Sequence, residues 1–305
     1  MNCTHPNYIL DLGLDNNTGK RRIKFLGLHP DISSFRALSV KYGSENIIPV
    51  PCGKCLDCKI NYAKTWAVRC MLECYSYVNN WFVTLTYDDE HLPDNGKLQR
   101  KDVQLFLKLL RHYYPGIRYF GCGEYGSHTH RAHYHLILFN LPLDDVKCIS
   151  KGRFGGFYYE SKKLVDIWSK GNVTLGDVTF NSCDYVARYC TKKVFDDEDD
   201  SFVMMSTHPG LGTQYFLDNY EKIYDTDKIY LKGFVYRVPR YFDKLLERID
   251  PSLFDKIKFE RIKDVNVSRI NALLSHNLEF DEQVYQYAEQ VSINKFKDKL
   301  KRGGC

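Results

Sequence analysis

The sequence predicts an α+β fold, a mostly antiparallel sheet with helices packed on a face. Three observations carry this. "WFVTLTY" (81–87) alternates like a strand, "IRYFGCGEY" (117–125) and "AHYHLILF" (132–139) read as two strands joined by a short polar turn, and helical periodicity lies between and after them. The order strand, helix, strand, strand, helix suits helices on one side of an antiparallel sheet.

At 305 residues the chain can bury a substantial core, as one large domain with appendages or two modest ones. A hydrophobic content of 44% with 27% charged residues is ordinary for a globular protein. The net charge of +5 understates the local basicity, because the run Asp196, Asp197, Glu198, Asp199, Asp200 masks a larger excess elsewhere. That excess, with 23 Tyr and 18 Phe, suits a partner offering both phosphates and bases. The 11 cysteines do not suggest a disulfide scaffold, since a chain of this length needs no staples and "MNCTHPNYIL" lacks a signal layout. No apolar run approaches membrane-spanning length. The expectation is a soluble protein of a reducing cytoplasm, with cysteines as core residues or metal ligands.

Three regions follow in order. Residues 1–78 bear cysteines, tighten at "PCGKCLDC" and become helix-like through "KINYAKTWAVRCMLECYSYV". Residues 79–240 hold the densest alternation of elements. After "WFVTLTY" comes the turn-like "DDEHLPDNG", and then Val103, Phe106, Leu107 and Leu110 take the i, i+3, i+4, i+7 spacing of an amphipathic helix. "DYVARYCTKKV" reads as a short helix with Asp184 or Ser182 as N-cap, and the acidic run after it as a solvated loop. Residues 241–305 are charged and helical, with no chemical motif.

Four histidines fall within "HTHRAHYH". His128 and His130 sit where the chain must turn, whereas His133 and His135 lie in a strand pattern, where residues two apart share a face. Folding the two strands about a turn centred between residues 128 and 129 sets 124 opposite 133 and 122 opposite 135. Opposed residues share a face with Cβ atoms about 5 Å apart, so Glu124, His133 and His135 converge. Two imidazoles and a carboxylate with one side open form a site for a divalent ion able to polarise a phosphate oxygen. The plainer reading is a set of polar residues on a half-exposed strand.

Tyr185 and Tyr189 lie four apart, on one helix face, with Lys192 and Lys193 close behind. A tyrosine hydroxyl that attacks a phosphodiester leaves a stable covalent link, and a pair permits two such events in succession. The plainer reading is a helix showing two tyrosines to the core. Cys52, Cys55 and Cys58 at x2 spacing can chelate one ion through a tight turn, with Cys70 and Cys74 as the second pair of a structural zinc site; an iron–sulfur cluster and plain buried thiols are the alternatives. Clusters from Lys97 to Arg118, from Lys151 to Lys163, and at Arg237 with Arg240 are candidate phosphate contacts.

Taken in order, "WFVTLTY", the G-E-Y-G before H-hydrophobe-H, and the helical Y-x-x-x-Y with its lysines resemble the HUH-type rolling-circle replication initiators. "VPCGKCLDC", "MMSTHPGLG" and "YRVPRYF" bring the resemblance closest to the replication proteins of gokushoviruses, small single-stranded DNA phages of the Microviridae. The resemblance runs from about residue 49 to 245. It implies an HUH endonuclease fold with a five-stranded antiparallel sheet, the HUH strand central and the tyrosine helix over it. It implies Glu124, His133 and His135 as ligands of Mg²⁺ or Mn²⁺, Tyr185 and Tyr189 as nucleophiles, and Lys192 as the lysine that follows a nucleophile by three. Arg188 and Lys193 would meet phosphate. It further implies nicking that leaves a 5′-phosphotyrosine and a free 3′-hydroxyl, then rejoining into a circle. The implied partners are single-stranded and double-stranded replicative-form DNA at the origin, a host helicase and a host polymerase, in the bacterial cytoplasm. The sequence departs from the family at Ala132, where proline is common, at Arg188, where a lysine follows the first tyrosine, and at Thr207, where arginine is common. Rival readings are a two-tyrosine transposase or plasmid initiator, a metal hydrolase using water, and a non-catalytic zinc-stabilised nucleic-acid binder. No G-x-x-x-x-G-K-[ST] loop is present, which is why unwinding falls to the host.

Overall fold

A computed structural model of the chain describes residues 3, 5–15, 18, 21–28, 32–43, 46–93, 96–126, 130–151, 156–192, 200–275, 287–291 and 293–294. The elements are, in order, β1 (Asn7–Leu14), β2 (Arg21–Leu28), α1 (Ile32–Tyr42), β3 (Ile47–Val50), α2 (Leu56–Cys74), β4 (Asn80–Tyr87) and α3 (Arg100–Tyr113). Next come β5 (Arg118–Tyr125), β6 (Ala132–Phe139), β7 (Lys147–Lys151), β8 (Phe157–Glu160), α4 (Lys162–Trp168), β9 (Gly171–Asp177), α5 (Phe180–Lys192) and β10 (Phe202–Met205). The remainder is α6 (Thr213–Thr226), β11 (Lys228–Leu231), β12 (Phe234–Arg237), α7 (Arg240–Ile249) and α8 (Pro251–Ser275). They fall into two compact units, Met1–Asn61 with Leu246–Cys305, and Tyr62–Leu245. Among the described residues no helix is long and apolar enough to cross a membrane.

In the first unit β1 is the middle strand of a three-stranded antiparallel sheet, between β2 and β3. Alternation in "YILDL" turns Tyr8 and Leu10 inward, where they pack with Ile47 of β3. The buried carboxylate of Asp11 is answered by Lys258 Nζ of α8.

The second unit is built on a seven-stranded sheet of order β10-β5-β6-β4-β9-β8-β7, and every recorded strand pair in it is antiparallel. The expected α+β class holds, whereas the expectation of five strands does not. β8 and β7 continue the sheet beyond β9, and both are so exposed, with all five residues of β7 facing solvent, that no buried alternation marks them in the sequence. The strand carrying the two histidines, β6, is third in the order, paired with β5 and β4.

One face of this sheet carries the core. Leu85 and Tyr87 of β4, Tyr134 and Leu136 of β6, and Val173 and Leu175 of β9 meet Val103, Phe106, Leu107 and Leu110 of α3. These four α3 positions are the ones the helical spacing selects, and all are buried. Glycine at 121 is required by this packing, since a Cβ there would lie 2.2 Å from Leu136 Cδ2 and 3.0 Å from the His135 carbonyl oxygen. Buried hydroxyls on the same face are paired: Tyr87 Oη donates to Asp102 Oδ2 (2.8 Å) and lies 2.9 Å from Tyr134 Oη, which accepts from the Gln99 amide (2.7 Å). Burial and these partners push the Tyr87 hydroxyl well above the ordinary tyrosine range.

Helix α5 lies over β5, β10 and β6 on the opposite face, with Cys183, Val186 and Ala187 fully buried. It starts at Phe180, ahead of the N-caps expected at Ser182 or Asp184. Thr179 and Ser182 instead close the end reciprocally, the Ser182 amide donating to Thr179 Oγ1 (3.1 Å) and the Thr179 amide to Ser182 Oγ (2.8 Å). Asp184 accepts from Arg188 one turn on, at 2.9 and 2.7 Å.

Candidate active site

Pairing of β5 with β6 sets Glu124 opposite His133 and Cys122 opposite His135, the register that a turn centred between 128 and 129 dictates. Residues 127–129, His128 among them, lie outside the described residues. The register puts Glu124, His133 and His135 on the face away from the core, and pairing with β4 adds Thr86 opposite His133 and Thr84 opposite His135.

Glu124 is 4% exposed, although it sits in a strand that ends at the surface. Its Oε1 accepts from His135 Nε2 at 2.8 Å and from the Tyr185 hydroxyl at 2.7 Å. The contact is thus diagonal, from Glu124 to the second histidine, rather than straight across to His133. His135 is held on three further sides: Nδ1 lies 3.0 Å from Thr84 Oγ1, its ring stacks on Phe82 (5.6 Å, 9°), and Tyr185 meets it edge-on (5.2 Å, 87°). His133 Nδ1 is 2.6 Å from the Arg131 carbonyl oxygen. A carbonyl only accepts, so the proton sits on Nδ1 and the Nε2 lone pair of His133 is left for another partner. Arg131 is itself fixed, its guanidinium donating to Asp89 Oδ1 (2.6 Å) and to the Tyr87 carbonyl (3.1 Å).

These donors suit a hard divalent ion. One carboxylate and two imidazoles project from one face, and each imidazole has its far nitrogen braced by an oxygen, the outer-shell arrangement that orients histidine ligands. As placed, their ligand atoms are not all within 4.8 Å of one another.

Tyr185 is 40% exposed at the edge of α5, so its hydroxyl reaches Glu124 while the ring stays open to a ligand. Tyr189 follows by four helical positions and Lys192 ends the helix, but the side chains of both lie outside the described part, as does Lys193 altogether. The acids Asp196 to Asp199 also lie outside the described residues.

Two candidate phosphate contacts are engaged elsewhere. Lys163 is paired with Asp144. Arg118, on β5, is a buried structural cation: its Nε bonds Glu73 Oε1 and its Nη2 donates to the Pro209 carbonyl (2.6 Å). Glu73, 3% exposed, also accepts from the Gly212 amide (2.6 Å). Nearby, Arg69 is clamped between Trp66 (4.3 Å) and Tyr241 (4.1 Å) and donates to the Leu211 carbonyl (3.0 Å). The loop of "STHPGLG" is therefore anchored from below, with Thr207, His208 and Pro209 exposed at its tip.

The cysteines gather differently from the expectation. Cys3, Cys52, Cys55 and Cys58 have sulfurs all within 4.8 Å of one another, a group that could hold a metal ion. Cys70 and Cys74 are not in it. They lie further along α2, where Cys70 is fully buried beside Cys183, whose thiol meets Met71 Sδ at 3.8 Å. Cys3 escapes a reading by local spacing, because pairing of β1 with β3 (Asn7 opposite Val50) is what returns the start of the chain to Cys52. The usable signal was a lone cysteine just before a strand that could pair with the strand ending at Val50. Burial raises the Cys3 thiol to about 11 and raises Cys58 too, so without a cation both stay protonated.

Comparison with known proteins bears on residues 80–194, which match the family model of replication-associated proteins described under the name ORF2. The chain is 38% identical over 234 residues to Replication-associated protein ORF2 of Spiroplasma virus 4, covering 70% of this chain and 73% of that one. It is 33% identical over 216 residues to Replication-associated protein VP4 of Bdellovibrio phage phiMH2K, covering 66% and 68%. It is 34% identical over 226 residues to Replication-associated protein ORF4 of Chlamydia phage 1, covering 68% and 56%. No solved structure matches the chain.

Proposed function

The chain belongs to the family of phage replication-associated proteins, and on that premise we propose that it is an origin-nicking, strand-joining enzyme of the HUH type. The observation that supports this reading is the Tyr185 hydroxyl bonded to Glu124, which is itself bonded to His135. A phenol is a poor nucleophile until its proton has an acceptor, and Glu124 Oε1 already holds that proton's hydrogen bond at 2.7 Å.

Tyr185 Oη attacks the scissile phosphorus as its proton moves toward Glu124 Oε1. The bond from phosphorus to the 3′-oxygen breaks, and that oxygen takes up a proton. The products are a 5′-phosphotyrosine and a 3′-hydroxyl that primes synthesis. Glu124, His133 and His135 would hold Mg²⁺ or Mn²⁺, which when bound supplies Lewis-acid polarisation of the phosphate. Thr84 and the Arg131 carbonyl keep the two imidazoles turned with Nε2 toward that position. Tyr189 makes the second cut after a circuit of synthesis, and the freed 3′-hydroxyl attacks the first adduct to release a closed circle. Lys192 and Lys193 neutralise phosphate, and Arg188 joins them by exchanging its surface pair with Asp184.

In this reading residues 79–240 are the nicking domain and the DNA is the phage origin, single-stranded or in the double-stranded replicative form. The setting is the host cytoplasm, with helicase and polymerase drawn from the host.

The test is a denaturing gel of the protein mixed with oligonucleotides tiling its genome, with Mn²⁺ or with EDTA. A metal-dependent protein–DNA adduct that survives boiling in detergent is expected. Cut DNA without an adduct would favour hydrolysis by water, and binding without cutting would favour a non-catalytic binder.

A further inference from the structure

We propose that Cys3, Cys52, Cys55 and Cys58 bind one Zn²⁺ as a closed tetrathiolate that ties the start of the chain to the head of α2. The spacing of the sulfurs is the first ground. Cys55 Sγ lies 3.9 Å from Cys3 Sγ, and Cys52 Sγ lies 4.0 Å from Cys58 Sγ. A tetrahedral ion with zinc–sulfur bonds of about 2.3 Å spans an edge of about 3.8 Å between its sulfurs. Disulfide sulfurs would be about 2 Å apart. An iron–sulfur cluster sets several irons and sulfides between its thiolates and spreads them further. The group is sized for a single ion.

The backbone is the second ground. Cys52 Sγ accepts from the amides of Lys54 (3.4 Å) and Cys55 (3.3 Å), and Cys3 Sγ accepts from the Cys52 amide (3.3 Å). Amides aimed at sulfur favour the thiolate over the thiol. The turn that aims them needs Gly53 at φ +76°, where a side chain would be strained. Cys58 sits in the first turn of α2, where the helix dipole also favours a negative sulfur. Lys59 beside it is 6% exposed, a buried cation in a place where a tetrathiolate around a divalent ion leaves net negative charge.

The third ground is topological. β1 pairs with β3 from Asn7 opposite Val50 to Leu10 opposite Ile47, so the segment before β1 runs back past the segment after β3. The ion would cross-link two strand ends 49 residues apart from Cys3 to Cys52. With four protein ligands no coordination position is left open, so its role is structural rather than catalytic.

The test is the metal content of the full chain, purified without chelator from zinc-replete medium. One zinc per chain is expected, released by a mercurial thiol reagent. Cys70→Ser and Cys74→Ser should keep the full equivalent, and Cys3→Ser should lose most of it. Because Cys3→Ser also puts the folding of the first unit at risk, Co²⁺ exchange into the unmutated chain provides a second reading, with ligand-field and sulfur-to-cobalt bands of a tetrahedral tetrathiolate expected. Zinc absent from the unmutated chain with no cobalt spectrum would overturn the proposal. So would iron with visible sulfide absorbance, or zinc kept by Cys3→Ser and lost by Cys74→Ser. None of these readings depends on DNA nicking.

Discussion

The Tyr185 hydroxyl donates to Glu124 Oε1 at 2.7 Å, from a helix that crosses three strands of the sheet to deliver it. Glu124 is buried on β5 and Tyr185 is half exposed on α5, so the pair joins the protein interior to the surface a DNA strand would approach.

Tyr185→Phe removes one hydroxyl and leaves the ring against His135. Adduct formation through this residue should fall by at least about 10³-fold, as for loss of a nucleophile. The fold should lose only about 1 kcal/mol, the worth of one hydrogen bond. Gel-shift kinetics and a thermal melt on the same preparation separate the two effects.

Thr84 touches no substrate in this scheme and acts by turning His135. Thr84→Val keeps the shape and removes the oxygen 3.0 Å from Nδ1. The Mn²⁺ concentration giving half-maximal nicking should rise by about 10- to 100-fold, the usual consequence of losing an outer-shell partner of a histidine ligand. Nicking at saturating Mn²⁺ should be largely restored, and a metal titration reads both.

Glu73 joins α2 to Arg118 on β5 and to the amide of Gly212, with 3% of its surface exposed. Glu73→Ala strands the Arg118 guanidinium in the interior. A loss of about 3–5 kcal/mol is expected in urea denaturation, the cost of breaking a buried pair from one side.

Gly121→Ala places a methyl 2.2 Å from Leu136 Cδ2. About 1–3 kcal/mol of stability should be lost to overpacking. Because the displaced residue is next to His135 on β6, nicking should fall as well, which parallel melts and nicking assays would detect.

The parts of this arrangement that the sequence displayed are those set by short-range periodicity. β4, β5, β6 and α3 appear at or within two residues of their expected bounds, and the turn about 128–129 was enough to fix Glu124 opposite His133. Strands β7 and β8 were invisible because their residues are exposed on an edge that buries nothing. Cys3 was missed because a partner 49 residues away is chosen by strand pairing, whereas Cys70 and Cys74, close in sequence, follow α2 into a different unit. Arg118 looked like a surface cation, and only the return of Glu73 on α2 makes it a buried one. The bond from Glu124 to Tyr185 joins residues 61 apart and depends on how α5 lies over the sheet, which no local pattern encodes.

The most direct measurement is peptide mapping of the protein–DNA adduct by mass spectrometry after trypsin. Cleavage after Lys170, Arg188 and Lys192 puts Tyr185 in the peptide 171–188 and Tyr189 in the peptide 189–192. The account predicts a nucleotide bonded through phosphate to one of these two peptides, to 171–188 when Tyr189 is replaced by Phe. A nucleotide on any other tyrosine, or cleaved DNA ending in free 5′-phosphate with both peptides unmodified, would contradict it.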